Sequence, residues 1–185
     1  GYPVLIEKPL ALNAQDAKTL VAEAKKRNVT LMVGHLLLFH PAIQKIKVFL
    51  NSGRIGNLQY IYSNRLNLGT VRTEENVFWS FAPHDISIFQ YLINSDPVHI
   101  SSQGAAYVQD DLYDITMTNL TYENNIHGHI YVSWLHSFKE HRLVLVGDKG
   151  MIHFDDSAEN KPLMMYDKGI DWEQGKPVKR DGPTE

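Results

Sequence analysis

The spacing of apolar positions changes partway along this chain, and the change divides it in two. Val4 to Ile6 is a short apolar run of the buried-strand type, closed by Glu7-Lys8-Pro9. Asn13 stands where a helix cap belongs, with Asp16 placed as in a capping box, and Ala17, Leu20, Val21 and Ala24 then recur at helical spacing. Lys25, Lys26 and Arg27 crowd the predicted last turn, where cations suit the negative end of the helix dipole. Val29 to Val33 reads as a second buried strand, ended by Gly34-His35. Strand, helix and strand in so short a stretch predict a βαβ unit with parallel strands.

Pro41 opens a further predicted helix, with Ile43, Ile46, Phe49 and Leu50 on its buried face and Ser52-Gly53 as its stop. From Leu58 to Leu68 the pattern alternates, with Leu58, Tyr60 and Tyr62 set against Gln59 and Ser63, as in a strand with one wet face. Phe78 to Ala82 then reads as a loop running into a helix. Pro83 suits its first position, and Ile88, Leu92 and the Phe89/Ile93 pair anchor it. Alternating runs follow at Val98–Val108, Ile115–Tyr122, Ile126–Trp134, His141–Val146 and Met151–Phe154, with Glu123-Asn124-Asn125 as a hairpin turn. The tail from Asp155 is polar, carries Gly and Pro, and is expected to be loosely ordered. Strands that follow a βαβ unit predict an α/β piece joined to an α+β domain on a mostly antiparallel sheet.

Composition narrows the function classes. The net charge is -3 and no Lys/Arg block stands out, which argues against nucleic acid as a partner. Without cysteine there is no disulfide, thiolate metal site or cysteine nucleophile. The most apolar run, Leu31 to Phe39, is too short to cross a bilayer and is broken by Gly34 and His35, so no membrane partner is expected and the cytoplasm is the default compartment. The chain opens on Gly1-Tyr2-Pro3-Val4, a strand already under way with no initiator methionine, and is expected to be a fragment of a longer protein.

The candidate chemistry gathers at strand ends and at the predicted helix start. A histidine in a first helical turn is pushed towards its neutral form, so His84 is a candidate general base, or else a surface histidine whose neighbour Asp85 caps the helix. Lys8 lies just past the carboxyl end of a parallel strand, the edge where such sheets bind ligands, and is otherwise a solvated loop lysine. Pro9 after it permits a cis bond. Glu7 is suited to a ribose hydroxyl or to plain exposure, and His35 holds the equivalent edge of the next strand. Arg65 and Arg72, flanking Asn67 and Gly69, suit a carboxylate or phosphate, or are surface charges. His127 and His129 share a strand face as metal ligands do, but no third ligand with suitable spacing accompanies them, so no metal is expected. No Gly-x-Ser-x-Gly context supports a hydrolase triad.

Taken together, the chain resembles the glucose-fructose oxidoreductase / inositol dehydrogenase (Gfo/Idh/MocA) family. Glu7-Lys8-Pro9, Gly34-His35, Phe39-His40-Pro41-Ala42, Pro83-His84-Asp85 and Val146-Gly147-Asp148-Lys149-Gly150 carry the resemblance in order. Within the family, Asn64 to Gly69 and Trp79 to Asp85 look most like dehydrogenases of the 3-hydroxyl of UDP-N-acetylglucosaminuronate. The resemblance implies NAD(P)-dependent oxidation of a sugar or nucleotide-sugar hydroxyl. Lys8 and His84 would be catalytic, with Glu7, Lys8 and His35 towards the cofactor and Arg65, Asn67, Ser80 and His84 towards the substrate. Many members carry an Asp four residues before the catalytic histidine; here that position is Ser80. No Gly-x-Gly-x-x-Gly turn is present, so the nucleotide site is expected to be incomplete. Residues 1–35 would end a truncated Rossmann domain, and 36–185 would form the substrate and oligomerisation domain, an open sheet with helices on one face. Its other face, with Tyr107, Tyr131 and Trp134, is the expected homo-oligomer surface, or the whole role of a non-catalytic association module.

Overall fold

A computed structural model describes residues 1–160 and 163–185. The chain begins with β1 (Val4–Ile6), α1 (Ala14–Lys26) and β2 (Leu31–Val33), and β1 pairs with β2 in parallel from Val4↔Leu31 to Ile6↔Val33. Asn13 caps α1 as its sequence predicts: its Oδ1 accepts from the Asp16 backbone N–H at 2.8 Å. No residue of α1 is buried, and Leu20 and Val21 are 41% and 38% exposed, so the apolar stripe of this helix has no layer to pack on.

A single 3₁₀ turn, Leu36–Phe39, leads into α2 (Pro41–Asn51). Pro41 opens α2 as predicted, and His40 caps it, its Nδ1 accepting from the Ala42 N–H at 3.1 Å. There follow β3 (Leu58–Leu66), α3 (Val77–Ile93), β4 (His99–Ala105), β5 (Ile115–Thr121), β6 (His127–Ser133), β7 (Glu140–Gly147), β8 (Met151–Asp155) and β9 (Leu163–Tyr166). These strands form one seven-stranded sheet in the order β4-β5-β6-β3-β7-β8-β9. Only β3 and β6 run parallel; every other pair is antiparallel. Helices α2 and α3 cover one face. Ile43, Ile46, Ile88, Phe89 and Leu92 from the helices meet Ile61, Ile130, Val132, Leu145 and Ile152 from the strands in the core. Gly128 in β6 sets how closely α3 approaches: a Cβ there would stand 2.9 Å from the Ile61 carbonyl oxygen and 3.3 Å from the Phe89 ring.

Three sequence expectations are corrected. The dry face of β3 is Ile61, Ser63 and Arg65, whereas Tyr60 and Tyr62 lie half-exposed on the outer face. The aromatic rings suggested the opposite polarity, but the helix layer selects the other parity. Trp134 is fully buried, its Nε1–H donating to Asp114 Oδ1 at 2.5 Å, so it belongs to no open face. The tail is also structured. Leu163–Tyr166 extends the sheet as β9, and β10 (Gly169–Glu173) pairs antiparallel with β11 (Lys176–Arg180) around Gln174-Gly175, both at positive φ. The alternation in Leu163-Met164-Met165-Tyr166 is weak but real: Met165 faces the core. Residues 161 and 162 of that tail lie outside the described residues. Among the described residues no helix is long and apolar enough to cross a membrane.

Candidate active site

Helix α3 begins at Val77, with Asn76 as its cap: Asn76 Oδ1 accepts from the Trp79 N–H at 3.1 Å. Pro83 therefore sits inside the helix and not at its first position. A proline there leaves one carbonyl without its helical donor, and the tertiary packing of Val77, Ala82, Ile88 and Phe89 carries the helix through it. His84 is thus an interior helix residue, remote from the positive end of the dipole, and Asp85 is no cap. The expectation that the helix start neutralises His84 is overturned.

Another cause produces the same neutral state. His84 is pushed down to about 4, first by burial and then by the Arg65 and Lys8 cations, against the opposing pull of Asp85. Its Nδ1 is buried without a hydrogen-bond partner. Lys8 leaves the carboxyl end of β1 and its Nζ donates to the Ser80 carbonyl at 2.8 Å. Ser80 and His84 are one turn apart on the same face of α3, so this bond brings the ammonium alongside the imidazole. The Lys8–Pro9 bond is cis.

The adjacent strand end completes the arrangement. The Glu7 carboxylate lies over Gly34, where a Cβ would stand 3.2 Å from Glu7 Oε2. His35 follows, its Nδ1 also buried and unpartnered, and burial together with Lys8 holds it below the usual imidazole range. Between these strand ends and α3 opens a cleft of ≈ 440 Å³, with Pro9, His35, Phe78, Trp79, Pro83 and Ile86 among its walls.

Arg65 is not on a free cleft wall. It is buried, and its guanidinium clamps Asp85 at two points, Nε to Oδ2 at 2.9 Å and Nη2 to Oδ1 at 3.1 Å. Directly opposite Arg65 on β7 is His141, which burial, Arg65 and Lys139 together push down to about 4, while Asp156 and Asp85 oppose them. Asp156 lies between His141 (3.8 Å) and His40 (3.9 Å). Sequence reading missed this buried charged group. Its one signal was the parity of Arg65 with Ile61 and Ser63.

The remaining candidates separate from the cleft. Asn67 is held just past β3 by its N–H to the Ser133 carbonyl at 3.1 Å. Ser80 is buried, and its backbone carbonyl makes the contact with Lys8. Arg72 is exposed beside Glu75. His127 and His129 lie on the outer sheet face; His127 pairs with Asn125 at 3.1 Å and His129 Nδ1 with the Tyr60 hydroxyl.

The model of the GFO/IDH/MocA C-terminal domain matches residues 43–153, and that of the oxidoreductase family with an NAD-binding Rossmann fold matches 1–35. The chain belongs to the GFO/IDH/MocA family. It is 26% identical over 171 residues to an uncharacterized oxidoreductase of Streptococcus pneumoniae serotype 4, covering 84% of this chain and 46% of that protein. It is 32% identical over 111 residues to UDP-N-acetylglucosamine 3-dehydrogenase of Acidithiobacillus ferrooxidans, covering 60% of this chain and 34% of the relative. A crystal structure of that dehydrogenase superposes with a TM-score of 0.78 at 26% identity, covering 97% of this chain and 56% of the other. The chain thus spans about half the length, or less, of these relatives. The family is enzymatic and NAD-binding, and its members here include sugar and nucleotide-sugar dehydrogenases.

Proposed function

We propose that these residues are the catalytic part of an NAD(P)-dependent dehydrogenase that oxidises a secondary hydroxyl of a sugar. The substrate we favour is the 3-hydroxyl of a nucleotide-linked hexuronic acid. The observation that carries this reading is a lysine set beside a half-buried histidine that burial and neighbouring cations keep neutral, Lys8 resting on the Ser80 carbonyl one turn from His84. In this reading residues 1–35 belong to the nucleotide-binding unit and 36–185 to the substrate domain.

Removing hydride from a carbinol carbon requires that its hydroxyl lose a proton, and the base must be within about 2.6–3.2 Å of it. His84, neutral at physiological pH, takes that proton. Lys8 donates to the same oxygen and stabilises its growing negative charge. The Lys8 cation lowers the basicity of His84, and by the same field it raises the acidity of the hydroxyl.

The cofactor site is supported by residues at the ends of two parallel strands. Glu7, Lys8 and His35 would hold the cofactor side; His35 offers a buried, unpartnered Nδ1 there. NAD(P), when bound, supplies the acceptor for the hydride. By the family resemblance, Asn67, just past the end of β3, and His84 would lie on the substrate side. These 185 residues contain no Gly-x-Gly-x-x-Gly turn. The pyrophosphate therefore depends on a glycine-rich half joined to them, and the chain alone is expected to bind NADH more weakly than micromolar.

A homo-oligomer formed through the outer sheet face is the second element of this proposal. Tyr62 stacks on His129 with ring centroids 5.0 Å apart, and Tyr60, Tyr131 and Met117 extend this aromatic and apolar shelf across three strands. Sedimentation that gives a clean monomer at high concentration would remove it. The test of function is NADH formation by this chain joined to a family nucleotide-binding half. Turnover of UDP-N-acetylglucosaminuronate in preference to free inositol or glucose supports the reading, and the reverse preference would replace the substrate class.

A further inference from the structure

The register of the seven-stranded sheet aligns its outer face into rows that cross all the strands. One row passes from His99 through His127, Tyr60 and Val146 to Tyr166. The next passes from Ser101 through His129, Tyr62, Val144 and His153 to Met164. Neither row holds a Lys, Arg, Asp or Glu, although these make up 21% of the chain. A face that meets water carries charges of both signs, and their depletion beside Tyr and Met marks the centre of a protein interface. The following row supplies a charged rim. Arg142 stands next to Asp155, its Nη2 reaches Glu140 Oε1 at 2.5 Å, and its Nε is buried without a partner. A rim with both signs is complementary to itself under two-fold symmetry. Three rows across these strands cover roughly 700 Å², near the ~800 Å² that each partner gives to a standard interface. The occupant is therefore a second copy of this chain.

We propose that acid opens this interface, with the histidines of the two uncharged rows as its sensor. The inference rests on the outer-face oligomer proposed above and adds its regulation. Four of the nine histidines lie in these rows: His99, His127, His129 and His153. A neutral imidazole can leave water between two faces, whereas an imidazolium without a carboxylate partner cannot do so cheaply. His129 has Tyr62 stacked on it, Tyr60 at its Nδ1 and Asn119 across the β5–β6 ladder, and no charged side chain faces it. His153 lies between Val144 and Met164, with Asp155, Arg142 and Glu140 around it. His127 meets Asn125, and His99 faces Thr121. At the far end of the first row, Asp148 and Lys168 flank Met151 and Tyr166. Burial already holds His129 and His153 below the ordinary imidazole range in one copy, and a second copy excludes more water. Free copies thus bind more protons than paired ones, so association weakens as pH falls. Two-fold symmetry brings each ring in twice.

The test is sedimentation of the 185-residue chain at pH 7.5, 6.5 and 5.5, with circular dichroism read on the same samples. A dimer is expected at pH 7.5, with a Kd that rises about 100-fold by pH 5.5, since each proton released on pairing is worth up to about ten-fold per pH unit. The double variant His129→Gln/His153→Gln replaces both rings by neutral polar groups and should stay dimeric at pH 5.5. It keeps His84 and His141, so dissociation that persists in it would come from acid loosening of the fold and would overturn the proposal. Tyr62→Lys sets a permanent cation at the centre of the face and should be monomeric at pH 7.5 with an unchanged spectrum. A dimer in that variant would put the contact on another face and overturn the proposal as well. A parent dimer that holds or tightens at pH 5.5 would overturn this inference and leave the oligomer standing. A clean monomer at pH 7.5 would remove both.

Discussion

The Lys8 ammonium donates a 2.8 Å hydrogen bond to the backbone carbonyl of Ser80, one turn before His84. The main chain makes this contact, and the Ser80 hydroxyl is not part of it. Ser80→Ala is therefore expected to keep kcat within about three-fold of the parent, since the carbonyl and the volume are nearly unchanged. A loss comparable with that of a base deletion, measured in the assembled dehydrogenase, would return the hydroxyl to the substrate side, where the sequence resemblance had put it.

Acid should weaken the fold in a defined window. His84 and His141 titrate near 4 when folded against an ordinary 6.5. Between those limits the unfolded chain binds more protons than the folded one, so stability is full above about 6.5 and is lost as pH falls towards 4. Urea unfolding from pH 7 to 4.5 should show a falling midpoint with uptake of protons by these rings, and His141→Phe should flatten the slope. A midpoint independent of pH over that range would contradict the burial of both rings.

Asp114 closes the end of β5 against Trp134. It is fully buried and accepts from Trp134 Nε1 at 2.5 Å, Tyr107 N at 2.6 Å and Val108 N at 2.8 Å. Asp114→Ala leaves the buried Trp134 Nε1–H without its acceptor and removes the two bonds from Tyr107 and Val108, and is expected to cost about 3 kcal/mol, with Asp114→Asn costing less. Urea unfolding followed by tryptophan fluorescence reads both.

Gly128→Ala tests the seat of α3. The added methyl meets the Ile61 carbonyl and the Phe89 ring, neither free to retreat, and about 1–3 kcal/mol should be lost. The same change at Gly53, which has open space, should act only through its positive φ.

Much of the fold was legible because the patterns were long. The βαβ start, the Pro41 helix and the alternating strands from Ile115 to Asp155 emerge within a residue or two of their predicted bounds. Helix α3 was misread at its start because Phe78-Trp79-Ser80-Phe81 is apolar on all sides and Pro83 is the stronger local mark. Asn76 was the true cap signal. Lys8, His35 and His84 were singled out because they stand at strand ends or beside a conspicuous proline and because they match the family pattern. The Arg65–Asp85 clamp was missed because a residue's sequence does not say which strand parity a later helix will cover. That parity was fixed by α3 packing over Ile61, and it carried Arg65 inward with it.

The central claim is that Lys8 and His84 perform the proton chemistry of alcohol oxidation. It is tested most directly by Lys8→Ala and His84→Ala in this chain joined to a glycine-rich nucleotide-binding half. The readout is NADH formation on UDP-N-acetylglucosaminuronate, with cofactor affinity measured in parallel. Each variant is expected to lose about 10²–10⁴-fold in kcat, with little change in the Kd for NADH and none in folding. Turnover within a few-fold of the parent in both variants would contradict the claim.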